Sequence, residues 1–390
     1  MMNIPIRSIV RVVAAASLLT ACVDLESSSD EQGLSGETAS AATSGLGHVA
    51  KVMTRNLYLG ADLAPAIGAK DLPALVAAAG GILRQVSATN FPVRAEGLAA
   101  EILATEPDLV GLQEVALWRT GPPSIAPLLG GPRTATTVRH DFLELLLDQL
   151  NDGKQRYRAV VIEEEFDLEA PADENGVPGD GPIPIVDAEL NGRLTMRDVI
   201  LERVDGGVHT SNPTSGHFAH LLTLPILGSP VAVTRGWTAV DARVRGTLPF
   251  RFVNTHLEAF DPRALHPSLR AQQAAELVAP GGPATGDLVI LVGDLNSDDD
   301  TVVPDDQQAY RVLLDAGFVE RSTADPLSCC VDSYDLTTGT AAEFDHQVDH
   351  IMTNAPDLVE LVESTVTGRT MVNGYWDSDH AGVFSALYIR

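Results

Sequence analysis

Eight residues scattered through the chain share one kind of setting. Asn56, Glu114, His256, Asp294, Asn296, Asp349, Asp379 and His380 each end, begin or interrupt a short apolar run. The plainest case is LVILVGDLNS, Leu288–Ser297, which reads as the middle of a sheet and then turns abruptly polar. An acid at the tip of a buried strand lies partly out of water and is costly there unless something positive is bound opposite it. Together the eight supply four carboxylates, two imidazoles and two amides. Carboxylate and amide oxygens suit Mg²⁺, Mn²⁺ or Ca²⁺. The imidazoles add acid–base capacity near neutral pH. A divalent ion flanked by two histidines is an apparatus for hydrolysing a phosphate ester.

The elements that must position these groups are legible as apolar runs. Strands are expected over 49–56, 108–114, 250–256, 288–296 and 347–352, each with a polar tip, and over 383–389 after Ser378-Asp379-His380. Helices are expected between them. Residues 93–104 are Ala-rich and stop before Pro107. Residues 140–150 put Leu143, Leu146, Leu147 and Leu150 on one face. Residues 268–278 follow Pro267, and residues 305–316 end at Gly317. Strands alternating with helices predict sheets covered by helices. The acidic, Gly/Pro-rich stretch 163–187 reads as a long surface loop or insertion.

Composition narrows the class. The formal charge is −27 over 390 residues, which argues against generic binding of a long polyanion. Residues 1–21 have Arg7 and Arg11 before a short apolar run, a signal peptide in outline and too short for a membrane span. It leads to Leu19-Thr20-Ala21-Cys22, similar to a bacterial lipobox, which implies lipidation of Cys22. Residues 22–47 are Ser-, Gly-, Ala- and acid-rich and read as a disordered tether. The expectation is an exported chain, lipid-anchored to a bacterial cell envelope, with one domain over 48–390 and no transmembrane helix in its mature form. Cys329 and Cys330 are adjacent, and either close a ring or stay reduced; no CxxC spacing suggests zinc.

In order, TRNLYLG, DLVGLQEV, FVNTHLEA, VILVGDLNS, QVDHIM and SDHAGVFS resemble the motifs of the endonuclease/exonuclease/phosphatase superfamily. The resemblance implies an α+β fold, a four-layer α/β/β/α sandwich of two packed mixed sheets with outer helices. It implies a metal-dependent phosphoesterase using Mg²⁺, with Mn²⁺ or Ca²⁺ as alternatives. Glu114 would be the principal metal ligand, helped by Asn56 and Asp379. Asp294 would position or activate water, and Asn296 would hold a phosphoryl oxygen. His380, oriented by Asp349, would act as base or charge stabiliser. His256 would stabilise the pentacoordinate centre or protonate the leaving oxygen. Arg197 is the candidate phosphate contact, and Asp198 a candidate partner of His256. Asp62 could assist the metal or cap a helix. The chain departs from the family pattern at Gln347, where an Arg is usual, and at Ala381-Gly382, where a Pro is usual.

Within this reading a phosphodiester is the expected substrate, with a nuclease favoured on the family's breadth. A sphingomyelinase- or phospholipid-type enzyme is the alternative, and Tyr375-Trp376 the nearest thing to an exposed aromatic hairpin. An inositol-phosphate phosphatase would need a cationic pocket, for which Arg235, Arg243 and Arg245 are available. A binding module that has lost activity is the reading from another class.

Overall fold

In the computed structural model of the protein, the residues described are 48–177, 179, 181, 187–260, 267–298, 307–323 and 327–390. The expected signal peptide, Cys22 and the tether lie outside them. Sixteen strands and six α-helices follow one another. They are β1 (Val49–Asn56), α1 (Ala64–Ile67), α2 (Leu72–Ala88), α3 (Phe91–Thr105), β2 (Leu109–Gln113), β3 (Leu117–Gly121), β4 (Thr137–Asp141) and α4 (Phe142–Leu150). Then come β5 (Tyr157–Ala172), β6 (Leu190–Arg203), β7 (Val208–His217), β8 (Leu222–Ile226), β9 (Ser229–Val233), β10 (Gly236–Val244) and β11 (Phe250–His256). The chain closes with α5 (Leu269–Val278), β12 (Val289–Asp294), α6 (Gln308–Asp315), β13 (Val319–Glu320), β14 (Asp349–Thr353), β15 (Val359–Thr367) and β16 (Gly382–Ile389).

Two mixed sheets carry the fold, which is α+β. The first runs β15-β16-β1-β2-β6-β3-β4, with β5 also paired to β6; the second runs β13-β14-β12-β11-β10-β7. Alternation along the strands explains the layering. Val52 and Leu109 of the first sheet meet Phe252, Ile290 and Val292 of the second in a shared core. Their neighbours Met53 and Val110 face the other way, onto Leu98 and Ile102 of α3. Val253 and Leu291 likewise face Ala274 and Leu277 of α5 and Leu313 of α6. The order of layers is therefore helix, sheet, sheet, helix. Gly111 permits the sheets to close: a Cβ there would lie 2.5 Å from Asn254 Oδ1 and 2.6 Å from Val292 Cγ2.

The stretch 163–187 differs from expectation. Its first ten residues belong to β5, paired with β6 from Tyr157↔Arg203 to Ala172↔Leu190. The acids hid a period of two: Phe166, Leu168 and Ala170 alternate with Glu165, Asp167 and Glu169. Asp167 is held by Arg193 and Glu169 by Asn191, while Glu165 is buried without a hydrogen-bond partner. Trp376 is buried, packed edge-on against Phe344 and bonded to Thr338 O, so Tyr375-Trp376 forms no exposed aromatic hairpin.

Candidate active site

Strand direction brings the polar tips together. β1 and β2 are parallel, with Asn56 opposite Gln113; β11 and β12 are parallel, with His256 opposite Asp294. β14 starts at the same rim, Asp349 opposite Asp294. Gly293 makes the last turn of β12 possible: its φ is +153°, and a Cβ would lie 2.1 Å from Thr255 O. Just past the strand ends, Tyr58, Glu114 and Asn296 adopt φ of 54°, 55° and 47°. Left-handed backbone at non-glycine residues costs about 1–3 kcal/mol each and gathers where structure elsewhere holds a working geometry in place.

Asp294 is the hub. Its Oδ2 accepts from Asn56 Nδ2 at 3.0 Å and lies 3.5 Å from His256 Nε2 and 3.7 Å from His380 Nε2. Its Oδ1 accepts from the Asn296 backbone N–H at 2.9 Å. Asn296 is fixed in turn by donating from Nδ2 to Leu257 O. Asp349 Oδ2 lies 2.9 Å from His380 Nδ1. Glu114 accepts from the Leu59 N–H at 2.6 Å through Oε2. The loops carrying these groups are tied from behind by two buried arginines. Arg55 donates to His380 O and pairs with Glu101, and Arg94 donates to Leu57 O, Tyr58 O and Asp377 O.

The two histidines are driven apart in charge. Burial, the Arg235 guanidinium and His380 hold His256 well below its usual range. Arg235 Nη1 lies 3.0 Å from His256 Nδ1. Since a guanidinium can only donate, Nδ1 accepts and the neutral ring carries its hydrogen on Nε2, toward Asp294. Burial works against a charged His380, but the Asp349 and Asp294 carboxylates outweigh it and raise its pKa well above normal. Burial raises Asp294, against the pull of His380 and with a push from Asp349. Asp379 is raised to about 6, by desolvation first, with His380 opposing and Glu114 adding. Carboxylates that hinder one another's ionisation in this way form a site that favours a cation.

The donor set fits a hard divalent ion. Asp349 Oδ1 is buried without a hydrogen-bond partner. Asp294 and Asp349 each present an oxygen and His380 a nitrogen, all within 4.8 Å of one another; with His380 charged, the two oxygens are the donors open to a cation. Among the described residues the other such grouping is Cys329, Cys330 and His346, whose sulfurs are joined as a disulfide. That disulfide packs on His380, its sulfurs 3.8 and 3.7 Å from Nε2. Glu114 and Asp379 face an adjoining cavity, together with Tyr58 and Arg235.

Not every expected residue joins the cluster. Arg197 does not: its guanidinium is buried against Asp141, Nη2 to Oδ1 at 2.6 Å, and its Nε donates to Val115 O. Asp198, one residue on and so on the opposite face of β6, does turn toward the site, where Asp294 and Glu114 add to the burial that raises its pKa. It is not bonded to His256; both its oxygens lack partners. Asp62 accepts from the Ala64 N–H, a turn at the start of α1. Of the three candidate arginines, Arg235 is at the site, while Arg243 pairs with His209 toward the far end of β10. Arg235 sits among Glu258, Glu165 and Asp198, acids whose strand spacing gives no hint of a shared neighbour.

The chain matches the sequence model described as "Endonuclease/Exonuclease/phosphatase family" over residues 78–380. No curated protein matches it by sequence. Solved structures do. One, an endonuclease/exonuclease/phosphatase from Beutenbergia cavernae DSM 12333, is 18% identical with a TM-score of 0.50, covering 88% of this chain and 72% of that one. Another, truncated Caenorhabditis elegans TDP2, is 16% identical with a TM-score of 0.43, covering 87% and 97%. A third, a family protein from Leptotrichia buccalis C-1013-b, is 15% identical with a TM-score of 0.48, covering 87% and 99%. At 18% identity the likeness to the first of these speaks to the fold alone.

Proposed function

Since the chain belongs to the endonuclease/exonuclease/phosphatase family, whose members hydrolyse phosphoester bonds, we propose that it is a metal-dependent phosphodiesterase. The observation that carries this is the convergence on Asp294 of Asn56, His256 and His380, with Asp349 behind His380. Glu114 and Asp379, open to the cleft, are the residues best placed to hold the ion, with Asn56 beside them. Mg²⁺, Mn²⁺ or Ca²⁺ would act there as a Lewis acid on a phosphoryl oxygen. Asp294 takes a proton from the attacking water, whose oxygen forms the new P–O bond as the ester P–O bond breaks and the leaving oxygen takes a proton from solvent. His380, charged and held by Asp349, balances the negative charge that builds on phosphorus. His256, neutral, donates from Nε2 to a phosphoryl oxygen; its depressed pKa makes it a poor proton source for the leaving group. Asn296 steadies the same oxygens.

The family's breadth favours a nuclease. The cavity beside the site supports it less, since among the described residues that line it Arg235 is the sole base. The leading segment supports export and an anchor at Cys22. The test is hydrolysis of bis(p-nitrophenyl) phosphate with each of the three ions. Asp294→Asn and His380→Ala should each lower kcat by about 10²–10⁴-fold, and Glu114→Gln should raise the ion concentration needed. Full activity in excess chelator, or wild-type rates in both Asp294→Asn and His380→Ala, would overturn the reading.

A further inference from the structure

Beside the cleft, between the outer face of the first sheet and the β8–β9 hairpin, lies a cavity of ≈ 250 Å³. Its polar groups, Tyr58, Asp62, Glu114, Asp379 and Arg235, lie near one another at one end, where Arg235 adjoins His256. Away from that end the walls are apolar, mostly aliphatic with Trp118 and Phe166 among them. Leu83 and Ala79 come from α2, Leu168 from β5, Leu194 from β6, and Leu224 and Ile226 from β8. At the deep end Leu75, Ala170 and Ile226 form an apolar cluster of their own, separate from the main core. A cavity left as mere packing error would be out of keeping with interiors that are close-packed. A nucleotide base needs donors and acceptors to read its edge, and this wall offers them only at the mouth. An apolar cavity of roughly 150 Å³ takes a benzene-sized guest; this one, at ≈ 250 Å³, has room for a longer chain.

We propose that the cavity binds the alkyl tail of an amphiphilic phosphodiester, which seats its phosphate on His256 and His380 beside Asp294. This rests on the phosphodiesterase reading and narrows its substrate to a lipid-like class. Arg235, beside His256 and on the cavity wall, marks where headgroup gives way to tail. The β8–β9 hairpin, which pairs with neither large sheet, forms the outer wall.

The test uses p-nitrophenyl alkyl phosphates from methyl to dodecyl, as monomers, with Mg²⁺ or Mn²⁺. Water enters, nitrophenolate leaves, and the alkyl phosphate keeps its tail. kcat/KM should rise about fourfold per methylene and level off when the cavity is full. Ala79→Phe, which narrows the cavity, and Leu224→Glu, which charges its half-buried outer wall, should flatten that slope while the methyl ester turns over as in wild type. A readout independent of turnover is available in Trp118, the one of the three tryptophans that lines the cavity. Dodecyl phosphate brominated along its tail should quench its fluorescence, and Ala79→Phe should abolish the quenching. A flat series with equal turnover and no quenching overturns the tail site and leaves the phosphodiesterase reading standing. Quenching without hydrolysis of any member keeps the tail site and overturns that reading; neither signal overturns both. Headgroup release from phospholipid vesicles would identify the tail as that of a membrane lipid, and cleavage of monomers alone that of a soluble amphiphile.

Discussion

At the scale of single residues, the unusual feature is how many acids are enclosed near one point. Glu165 is an example away from the reacting atoms: both its oxygens lack hydrogen-bond partners, and burial raises its pKa to about 8, with Arg235 opposing. A carboxyl whose pKa rises on folding holds its proton more tightly in the native state. Its contribution is whole below the unfolded value near 4.5 and disappears as pH climbs through about 8. Glu165→Gln removes that dependence. In chelator, the variant should gain stability over the wild type between pH 5 and pH 9, by an amount on the order of a few kcal/mol. Thermal unfolding at the two pH values checks this, and a difference independent of pH would show that Glu165 is ionised in the native state. The same reasoning explains why residue type alone pointed to the site. Asp294, Asp349 and His380 stood out as polar groups at apolar strand ends, and such groups are placed there at a cost that only a ligand or a network can offset.

At the scale of elements, Arg197 and Asp141 join β6 to α4. Asp141 caps α4 by accepting from the Leu143 and Glu144 N–H groups, and it also neutralises Arg197. Asp141→Ala should cost about 3–5 kcal/mol, since it strands a buried guanidinium as well as uncapping the helix. Arg197→Met should cost less, and kcat in both should stay near wild type under conditions where they are folded. A fall in kcat of more than tenfold in Arg197→Met, with KM raised, would restore Arg197 as a phosphate contact. The misplacement of Arg197 is instructive. Neighbouring strand residues point to opposite faces, and in TMRDVILER nothing in the residue types says which of Arg197 and Asp198 faces the cleft. Strands with apolar runs and polar tips, such as β1, β11 and β12, were legible within a residue or two. Those whose acids masked the alternation, such as β5, were not, and Leu72–Ala88 holds Gly80-Gly81 in its interior and Pro73 at its start, residues that read as breaks rather than as a helix. The cavity was invisible in the sequence because its walls come from stretches scattered between Tyr58 and Asp379.

At the scale of the molecule, an acidic chain with a formal charge of −27 folds around a centre that is itself carboxylate-rich. An ion bound only by the folded form should stabilise it, by about 2.7 kcal/mol at 100 times its Kd. Tm should therefore rise with added Mg²⁺ or Mn²⁺ and fall in chelator, and Glu114→Gln should shrink the shift. A Tm indifferent to all three ions would remove the metal from the account. No helix among the described residues is long and apolar enough to cross a membrane. The antiparallel pairing of the first and last strands has a practical consequence. Val49 lies opposite Tyr388, and Thr54 opposite Val383, so the domain's first and last residues share the rim farthest from Asn56. A fusion partner, bead or surface attached at either end therefore leaves the cleft unobstructed, and the two ends are close enough for a short linker to join them into a circular or re-cut chain.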